Sequence, residues 1–200
     1  MNLIAQNDSH GKNVLHPVIL TVPNQFFSFS MPQRVKGISK LSRETVFISA
    51  HLSHLAIQQL KQTSIGMPEP DNGVYWSVSH KPKLVCGVVS TCKAGIDIEE
   101  LRPQQQSMYA YVASDEEWEC INGSRSKRSF FRCWTAKEAV LKAEGTGIPD
   151  LLKCHVIEDL GDTGMILDYH DRQWIIEHYY LNNHIAAIVK DKMDIEWHLI

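Results

Sequence analysis

Two acidic side chains stand two residues apart in the segment Gly95-Ile96-Asp97-Ile98-Glu99. In a β-strand, residues i and i+2 point to the same face, so Asp97 and Glu99 are expected side by side. Adjacent carboxylates repel one another unless a cation lies between them, and their oxygen atoms are ligands that suit Mg²⁺. The spacing is therefore compatible with a magnesium site, although a solvated strand face gives the same pattern.

A second group of polar side chains lies on a predicted helix that contains residues 134–142. Trp134, Glu138 and Lys142 recur at i, i+4 and i+8, which places them on one stripe of that helix. On its own, the stripe is explained by a packed Trp134 and an exposed ion pair between Glu138 and Lys142. A binding site is the alternative.

Several histidines and hydroxyl groups are weaker candidates. Ser79 and His80 end a predicted strand, where a hydroxyl and an imidazole can meet a ligand at a loop. His51 and His54 have i, i+3 spacing on a predicted helix, but no cysteine or third histidine stands nearby in the sequence. A metal site at His51 and His54 is therefore not favoured.

The elements that must position these residues follow from hydrophobic periodicity and turn residues. Helices are predicted over residues 42–62, 114–121 and 127–144. Ser114 and Glu117 have capping-box spacing at the start of the second helix, and Gly145 follows the third. Strands are predicted where short apolar or alternating runs lie between turns, namely 18–22, 74–79, 84–90, 95–99, 153–158, 165–168, 174–181 and 184–190.

The order of these elements predicts an α+β protein. Each half of the chain has a helix followed by a small antiparallel meander, which predicts two similar subdomains, 1–100 and 101–200, in a pseudo-twofold arrangement. Residues 101–107 are polar and are expected to form the connector. The helix over 127–144 belongs to the second subdomain, and the active site is expected in the crevice between the two.

Composition excludes several classes of protein. The 200 residues include 20 basic and 23 acidic side chains, a net charge of −3, which disfavours duplex nucleic acid as a partner. Five cysteines without a C-x-x-C pair predict reduced thiols. Residues 1–8 lack a basic flank and a long apolar run, and no window reaches 18 apolar residues. These features predict a cytoplasmic protein that binds no membrane, and a monomer is expected.

Taken together, the motifs identify a family. A Ser-His pair, Asp-x-Glu and Trp-x-x-Lys-Glu-x-x-x-Lys occur in this order and are followed by Gly145-Thr146-Gly147. The combination resembles the 4′-phosphopantetheinyl transferases of the larger surfactin-synthetase-activating type, over roughly residues 34–150. Arg43 and the helix after it resemble that family's basic N-terminal segment.

The resemblance implies a role for each matching residue. It implies that Asp97, Glu99 and Glu138 hold Mg²⁺ against the pyrophosphate of coenzyme A, the substrate. The same resemblance places Lys142 beside the phosphates and Glu117 near the acceptor serine, which Glu117 positions or deprotonates. Finally, the coenzyme A phosphates are expected to contact Arg43, Ser79 and His80.

The implied reaction is magnesium-dependent transfer of 4′-phosphopantetheine from coenzyme A to a serine of an apo acyl or peptidyl carrier protein, with release of 3′,5′-ADP. The chain departs from the family pattern at Met67, in place of a lysine, and at Ser77, in place of an asparagine. These departures leave a non-catalytic module that binds coenzyme A or a carrier protein as an alternative. A metal-dependent phosphohydrolase is a third hypothesis.

A basic cluster precedes and begins the helix over 127–144. Arg125, Lys127, Arg128 and Arg132 oppose the helix dipole there, which suggests a functional reason for their placement. They are expected either to steer an acidic carrier protein toward the site or to form an ordinary solvated helix end.

Overall fold

A computed structural model describes residues 14–121 and 125–200 of the chain. Residues 1–8, for which no targeting signal is predicted, lie outside the described part. The α-helices are α1 (Met31–Leu52), α2 (Gln106–Val112), α3 (Asp115–Cys120) and α4 (Lys127–Glu144). None of the helices in these two ranges is both long and apolar enough to cross a membrane.

Eleven strands in the described residues form three sheets. The strands are β1 (Val14–Leu15), β2 (Val18–Thr21), β3 (Tyr75–His80), β4 (Leu84–Ser90), β5 (Ile96–Glu100), β6 (His155–Asp159), β7 (Gly164–Tyr169), β8 (Arg172–Leu181), β9 (His184–Val189), β10 (Asp194–Ile195) and β11 (His198–Leu199). The first large sheet has the order β11-β2-β4-β3, the second has the order β5-β9-β8-β7-β6, and β1 pairs with β10. The predicted α+β class is confirmed.

Helix α1 covers the first sheet, but both of its predicted ends are wrong. It begins at Met31 because the Gln33 side chain accepts a hydrogen bond from the Ser30 N–H, as in a capping box. It ends at Leu52, and His54 then takes a left-handed conformation with φ of 54°. Apolar residues after this point, including Leu55, pack on the same core without being helical. Their spacing extended the predicted helix too far.

Helix α4 has the predicted bounds and covers the second sheet. The Ser126 side chain accepts a hydrogen bond from the Ser129 N–H at its start, and Gly145, with φ of 76°, ends it. The predicted capping box of α3 is also confirmed, with Ser114 as N-cap. Helix α2 was not predicted: its first two residues were assigned to the polar connector over 101–107, and the rest of it was assigned to no element.

Strand β5 does not belong to the sheet in which it was predicted. It was expected to continue the meander of β3 and β4, but it pairs with β9, where Asp97 lies opposite Ala187. The alternate residues Ile96 and Ile98 are buried, and Gly95 lets the chain pass directly beside the Ala139 carbonyl of α4. At the other end of the chain, β11 returns to the first sheet and pairs with β2. The two sheets therefore do not divide at residue 100.

The close approach at Gly95 predicts a strong effect of adding one methyl group. In Gly95→Ala, the new Cβ overlaps the Ala139 carbonyl oxygen, so either β5 or α4 must shift. We expect the free energy of unfolding to fall by roughly 1–3 kcal/mol. The matched control is Gly147→Ala, whose Cβ meets only Pro149 Cδ at 3.5 Å. Urea unfolding measures both, and equal stability of the two variants would contradict this packing.

Candidate active site

A cleft of about 390 Å³ lies where the end of β3, the strand β5 and the helix α4 meet. Six residues predicted from the sequence line it, namely Ser79, His80, Asp97, Glu99, Glu138 and Lys142. Asp97 and Glu99 lie on one face of β5, and Glu138 and Lys142 lie one turn apart on α4. Residues that are up to 63 positions apart in the sequence thus line a single cleft.

Asp97 is held by two side-chain donors in the cleft. Its Oδ1 accepts hydrogen bonds from Lys142 Nζ at 2.7 Å and from Ser79 Oγ at 2.7 Å. Burial acts to lower the pKa of Lys142, but the adjacent Asp97 outweighs it and the net pKa is raised. Lys142 is therefore a permanent cation of the cleft, and Asp97 is its partner.

Glu99 has a different cationic partner, Lys81, and the sequence does not indicate that these two residues pair. Lys81 Nζ lies 2.7 Å from Glu99 Oε1, and the indole Trp134 Nε1 donates to the same oxygen at 3.1 Å. The pKa of Glu99 is raised, first by burial and then by repulsion from Asp97. The only signal for Lys81 in the sequence is its position directly after His80, at the end of β3.

Two carboxylate oxygens of the cleft have no hydrogen-bond partner among the described residues. They are Asp97 Oδ2 and Glu138 Oε1, and both are buried. The pKa of Glu138 is raised by burial and then by Asp97. A buried carboxylate oxygen without a partner is costly unless a proton or a cation meets it.

The donor set of the cleft fits Mg²⁺. Carboxylate oxygens are the protein ligands of this hard cation, which also keeps several waters or substrate oxygens. Asp97, Glu99 and Glu138 are the residues that would hold it. The ligand oxygens of these three carboxylates do not all lie within 4.8 Å of one another.

His80 stands at the mouth of the cleft and is exposed. Its pKa is lowered, first by partial burial of the ring and then by the charges of Lys142 and Lys81. A neutral imidazole beside two lysines can donate one hydrogen bond to an anionic ligand without adding to their repulsion.

Glu117 does not line the cleft, so its expected role at the acceptor serine does not fit its position. Its Oε1 accepts from Lys137 Nζ at 2.7 Å and from the Val156 N–H at 2.8 Å, and its Oε2 accepts from the Ser114 N–H at 2.9 Å. The exposed fraction is 4% for Glu117 and 0% for Lys137. The pair connects α3, α4 and β6 inside the protein. Sequence reasoning missed it because lysines are rarely buried.

Arg43 lies on α1, also outside the cleft. Its Nη2 donates to Gln62 Oε1 at 2.6 Å. It lines a separate open groove of about 590 Å³ with Lys36 and Lys40. The structure therefore separates Arg43 from the other residues that were expected to contact coenzyme A.

The basic cluster at the start of α4 is mostly paired. Arg125 binds Asp115, and Arg128 lies 3.1 Å from Asp162 and over the ring of Tyr180. Arg132 is not at the surface as expected: it is buried and its Nη2 donates to Asp159 Oδ1 at 2.6 Å. Arg132 therefore joins α4 to β6, and the hypothesis of a steering cluster extends only to Arg125, Lys127 and Arg128.

Sequence comparison with known proteins gives a match over the part of the chain that contains β5 and α4. Residues 93–189 match the model of the 4′-phosphopantetheinyl transferase superfamily. The matched segment contains β5 and α4, and with them Asp97, Glu99, Glu138 and Lys142. The family resemblance found in the sequence is thus supported over this segment.

Two curated relatives are named as 4′-phosphopantetheinyl transferases. The chain is 37% identical over 87 residues to the 4′-phosphopantetheinyl transferase HetI of Nostoc sp., which covers 40% of this chain and 37% of that protein. It is 27% identical over 113 residues to the 4′-phosphopantetheinyl transferase psf-1 of Bacillus pumilus, which covers 54% of this chain and 48% of the relative. The matches thus span less than half the length of each relative.

The position of Glu117 predicts a loss of stability when its charge is removed. In Glu117→Gln, the buried Lys137 ammonium loses its ionic partner, and we expect the free energy of unfolding to fall by about 3–5 kcal/mol. The double variant Glu117→Gln/Lys137→Met removes both charges and is expected to recover part of that loss. Chemical denaturation tests this. A Glu117→Gln variant as stable as the wild type would contradict a structural role.

The raised pKa of Glu138 predicts how stability depends on pH. A carboxyl group with a raised folded pKa binds more protons in the folded protein, so stability falls as the pH rises from the ordinary value of 4.5 through the raised value. Glu138→Gln removes this dependence. In EDTA, we expect this variant to be more stable than the wild type at pH 8, with the difference shrinking toward pH 4. A difference that is constant over this range would contradict the assignment.

Proposed function

We propose that this chain transfers 4′-phosphopantetheine from coenzyme A to a serine of an apo carrier protein, with Mg²⁺ as the metal ion. The observation that carries the proposal is the cleft between β5 and α4, where three carboxylates and two lysines converge and two carboxylate oxygens have no hydrogen-bond partner in the described part of the chain. The match of residues 93–189 to the superfamily supports the reaction type.

The side chains of the cleft have complementary tasks in this proposal. Lys142 and Lys81 supply positive charge for the pyrophosphate of coenzyme A, and His80 offers a hydrogen bond at the mouth. Asp97, Glu99 and Glu138 provide oxygen ligands on the side of the cleft formed by β5 and α4. When held there, Mg²⁺ supplies charge that stabilises the pyrophosphate as the reaction proceeds.

The reaction needs no covalent enzyme intermediate. The serine oxygen of the carrier protein bonds to the β-phosphorus of coenzyme A, the bond from that phosphorus to the bridging oxygen breaks, and 3′,5′-ADP leaves with the electron pair. The serine proton must pass to a base. Glu117 is buried away from the cleft and is not placed to accept that proton, and Glu138 is proposed as a ligand of Mg²⁺ and not as the base.

We further assign the chain to the larger, surfactin-synthetase-activating type of transferase. The support is that a single chain contains two helix-on-sheet units, α1 on the first large sheet and α4 on the second. The cleft lies at their junction, where β3 of the first sheet meets β5 of the second.

Mass spectrometry of the carrier protein distinguishes this proposal from its alternatives. The protein is incubated with Mg²⁺, coenzyme A and an apo carrier protein. A gain equal to phosphopantetheine supports transfer. Coenzyme A that is bound but not consumed would indicate a binding module. Coenzyme A that is cleaved without labelling of the carrier would indicate a phosphohydrolase.

Substitutions at the cleft are expected to slow transfer while the fold is kept. We expect Asp97→Asn and Lys142→Ala each to lower kcat at least about 100-fold, since the first removes a carboxylate ligand of the metal ion and the second removes a positive charge beside the reacting phosphates. The matched control is Glu100→Gln, on the neighbouring position of β5, whose side chain faces Lys83. Steady-state kinetics with varied coenzyme A test this. For Lys142→Ala, an unchanged kcat with only a higher KM would contradict its role in the transition state.

A further inference from the structure

Two histidines and a glutamate from opposite ends of the chain meet away from the cleft. His16 lies between β1 and β2, and Glu196 and His198 lie at the end of the chain in and beside β11. His16 Nδ1 and His198 Nε2 are 3.0 Å apart. Glu196 places one oxygen 3.8 Å from the first nitrogen and the other 3.9 Å from the second. The carboxylate thus straddles the two rings.

Backbone hydrogen bonds fix this arrangement. The Glu196 N–H donates to the Leu15 carbonyl at 2.9 Å, and the His198 N–H donates to the Pro17 carbonyl at 2.9 Å. Strand β10 pairs with β1, and β11 pairs with β2, both in parallel register. Strand pairing therefore places His16 beside Glu196 and His198.

The environment suits a metal ion that prefers nitrogen ligands. The side chains of His16 and His198 are 18% and 22% exposed, so the ring nitrogens are largely shielded, whereas Glu196 is 63% exposed and leaves the site open to solvent. His54 is close enough for its charge to affect His16. Of the described residues, this is the one group of three ligand-type side chains whose donor atoms all lie within 4.8 Å of one another.

We propose that His16, Glu196 and His198 form a site for a divalent transition metal, best suited to Zn²⁺, which fastens the final segment 194–200 to the first sheet. Two imidazole nitrogens and one carboxylate oxygen are a common zinc ligand set, with water in the fourth position. Zinc–nitrogen bonds of about 2.0–2.1 Å in tetrahedral geometry place two nitrogens about 3.4 Å apart, so the observed 3.0 Å needs only a small opening. This donor set differs from the all-carboxylate set of the cleft.

Binding and stability are measured together after removal of metal with EDTA and dialysis. We expect one Zn²⁺ per chain by calorimetry and a Tm raised by roughly 5–10 °C when free Zn²⁺ is about 100-fold above its Kd. A Tm rise with Mg²⁺, which would bind the carboxylate cleft, should persist in Glu196→Gln, whereas the rise with Zn²⁺ should be lost in that variant. Backbone amide exchange at Glu196, His198 and Ile200, whose N–H groups donate to the carbonyls of Leu15, Pro17 and Ile19, should slow with Zn²⁺.

Substitutions test whether these side chains bind the metal ion. His198→Gln and Glu196→Gln should each weaken Zn²⁺ binding at least about tenfold, and Glu196→Gln, at an exposed position, keeps the test informative if His198→Gln folds poorly. The matched control is His155→Gln, an exposed histidine on the second sheet, which should bind Zn²⁺ like the wild type. Co²⁺ in place of Zn²⁺ should give a visible spectrum without thiolate charge transfer, which excludes the exposed Cys92 as a ligand.

Two results would overturn the proposal. The first is a lack of stoichiometric Zn²⁺ and Co²⁺ binding, which would leave His16 and His198 as an ordinary hydrogen-bonded pair. The second is Zn²⁺ binding that Glu196→Gln and His198→Gln leave unchanged, which would place the metal elsewhere. Both results are independent of transfer activity, so the proposal stands or falls apart from the function proposed for the cleft.

Discussion

The contact between β5 and α4 is the constraint on which the cleft depends. Gly95 allows the strand to pass beside the Ala139 carbonyl. Two residues later, Asp97 Oδ1 lies 2.7 Å from Lys142 Nζ of α4. Without this close packing, Asp97 and Glu99 would not face Glu138. The same strand pairs with β9 of the second sheet and lies beside β3 of the first, so the cleft is formed where both sheets contribute residues.

Neighbouring residues of α4 serve opposite purposes. Lys137 points into the protein, where its ion pair with Glu117 joins the helix to α3 and β6. Glu138, turned by about 100° around the helix axis, lines the cleft, and its Oε1 has no hydrogen-bond partner within residues 14–121 and 125–200. The buried pair thus holds the helix in place, while the next side chain offers a carboxylate oxygen to the cleft. Burial and repulsion from Asp97 raise the pKa of Glu138, so a cation in the cleft would stabilise the protein.

Much of the fold follows from local signals in the sequence. The bounds of α4 were predictable because capping residues and Gly145 coincide with the ends of its periodic pattern. The ends of α1 were not, because Leu55 and later apolar residues contact the same core from a non-helical chain. The sheet to which β5 belongs depends on long-range pairing with β9, which no local pattern specifies.

The candidate site shows the same division. Spacing on one strand and one helix was enough to group Asp97 with Glu99, and Glu138 with Lys142, and the resemblance to the family joined the two groups. Neither the spacing nor the resemblance showed that Lys81 pairs with Glu99 or that Glu117 is buried, since both facts depend on which side chains meet across elements.

The most direct test of the central claim is a titration with Mn²⁺, an oxygen-preferring substitute for Mg²⁺, followed by electron paramagnetic resonance in the presence of coenzyme A. One bound Mn²⁺ in the wild type and in Glu100→Gln, lost in Asp97→Asn, is the expected result; retention of that ion by Asp97→Asn would contradict a metal site in this cleft.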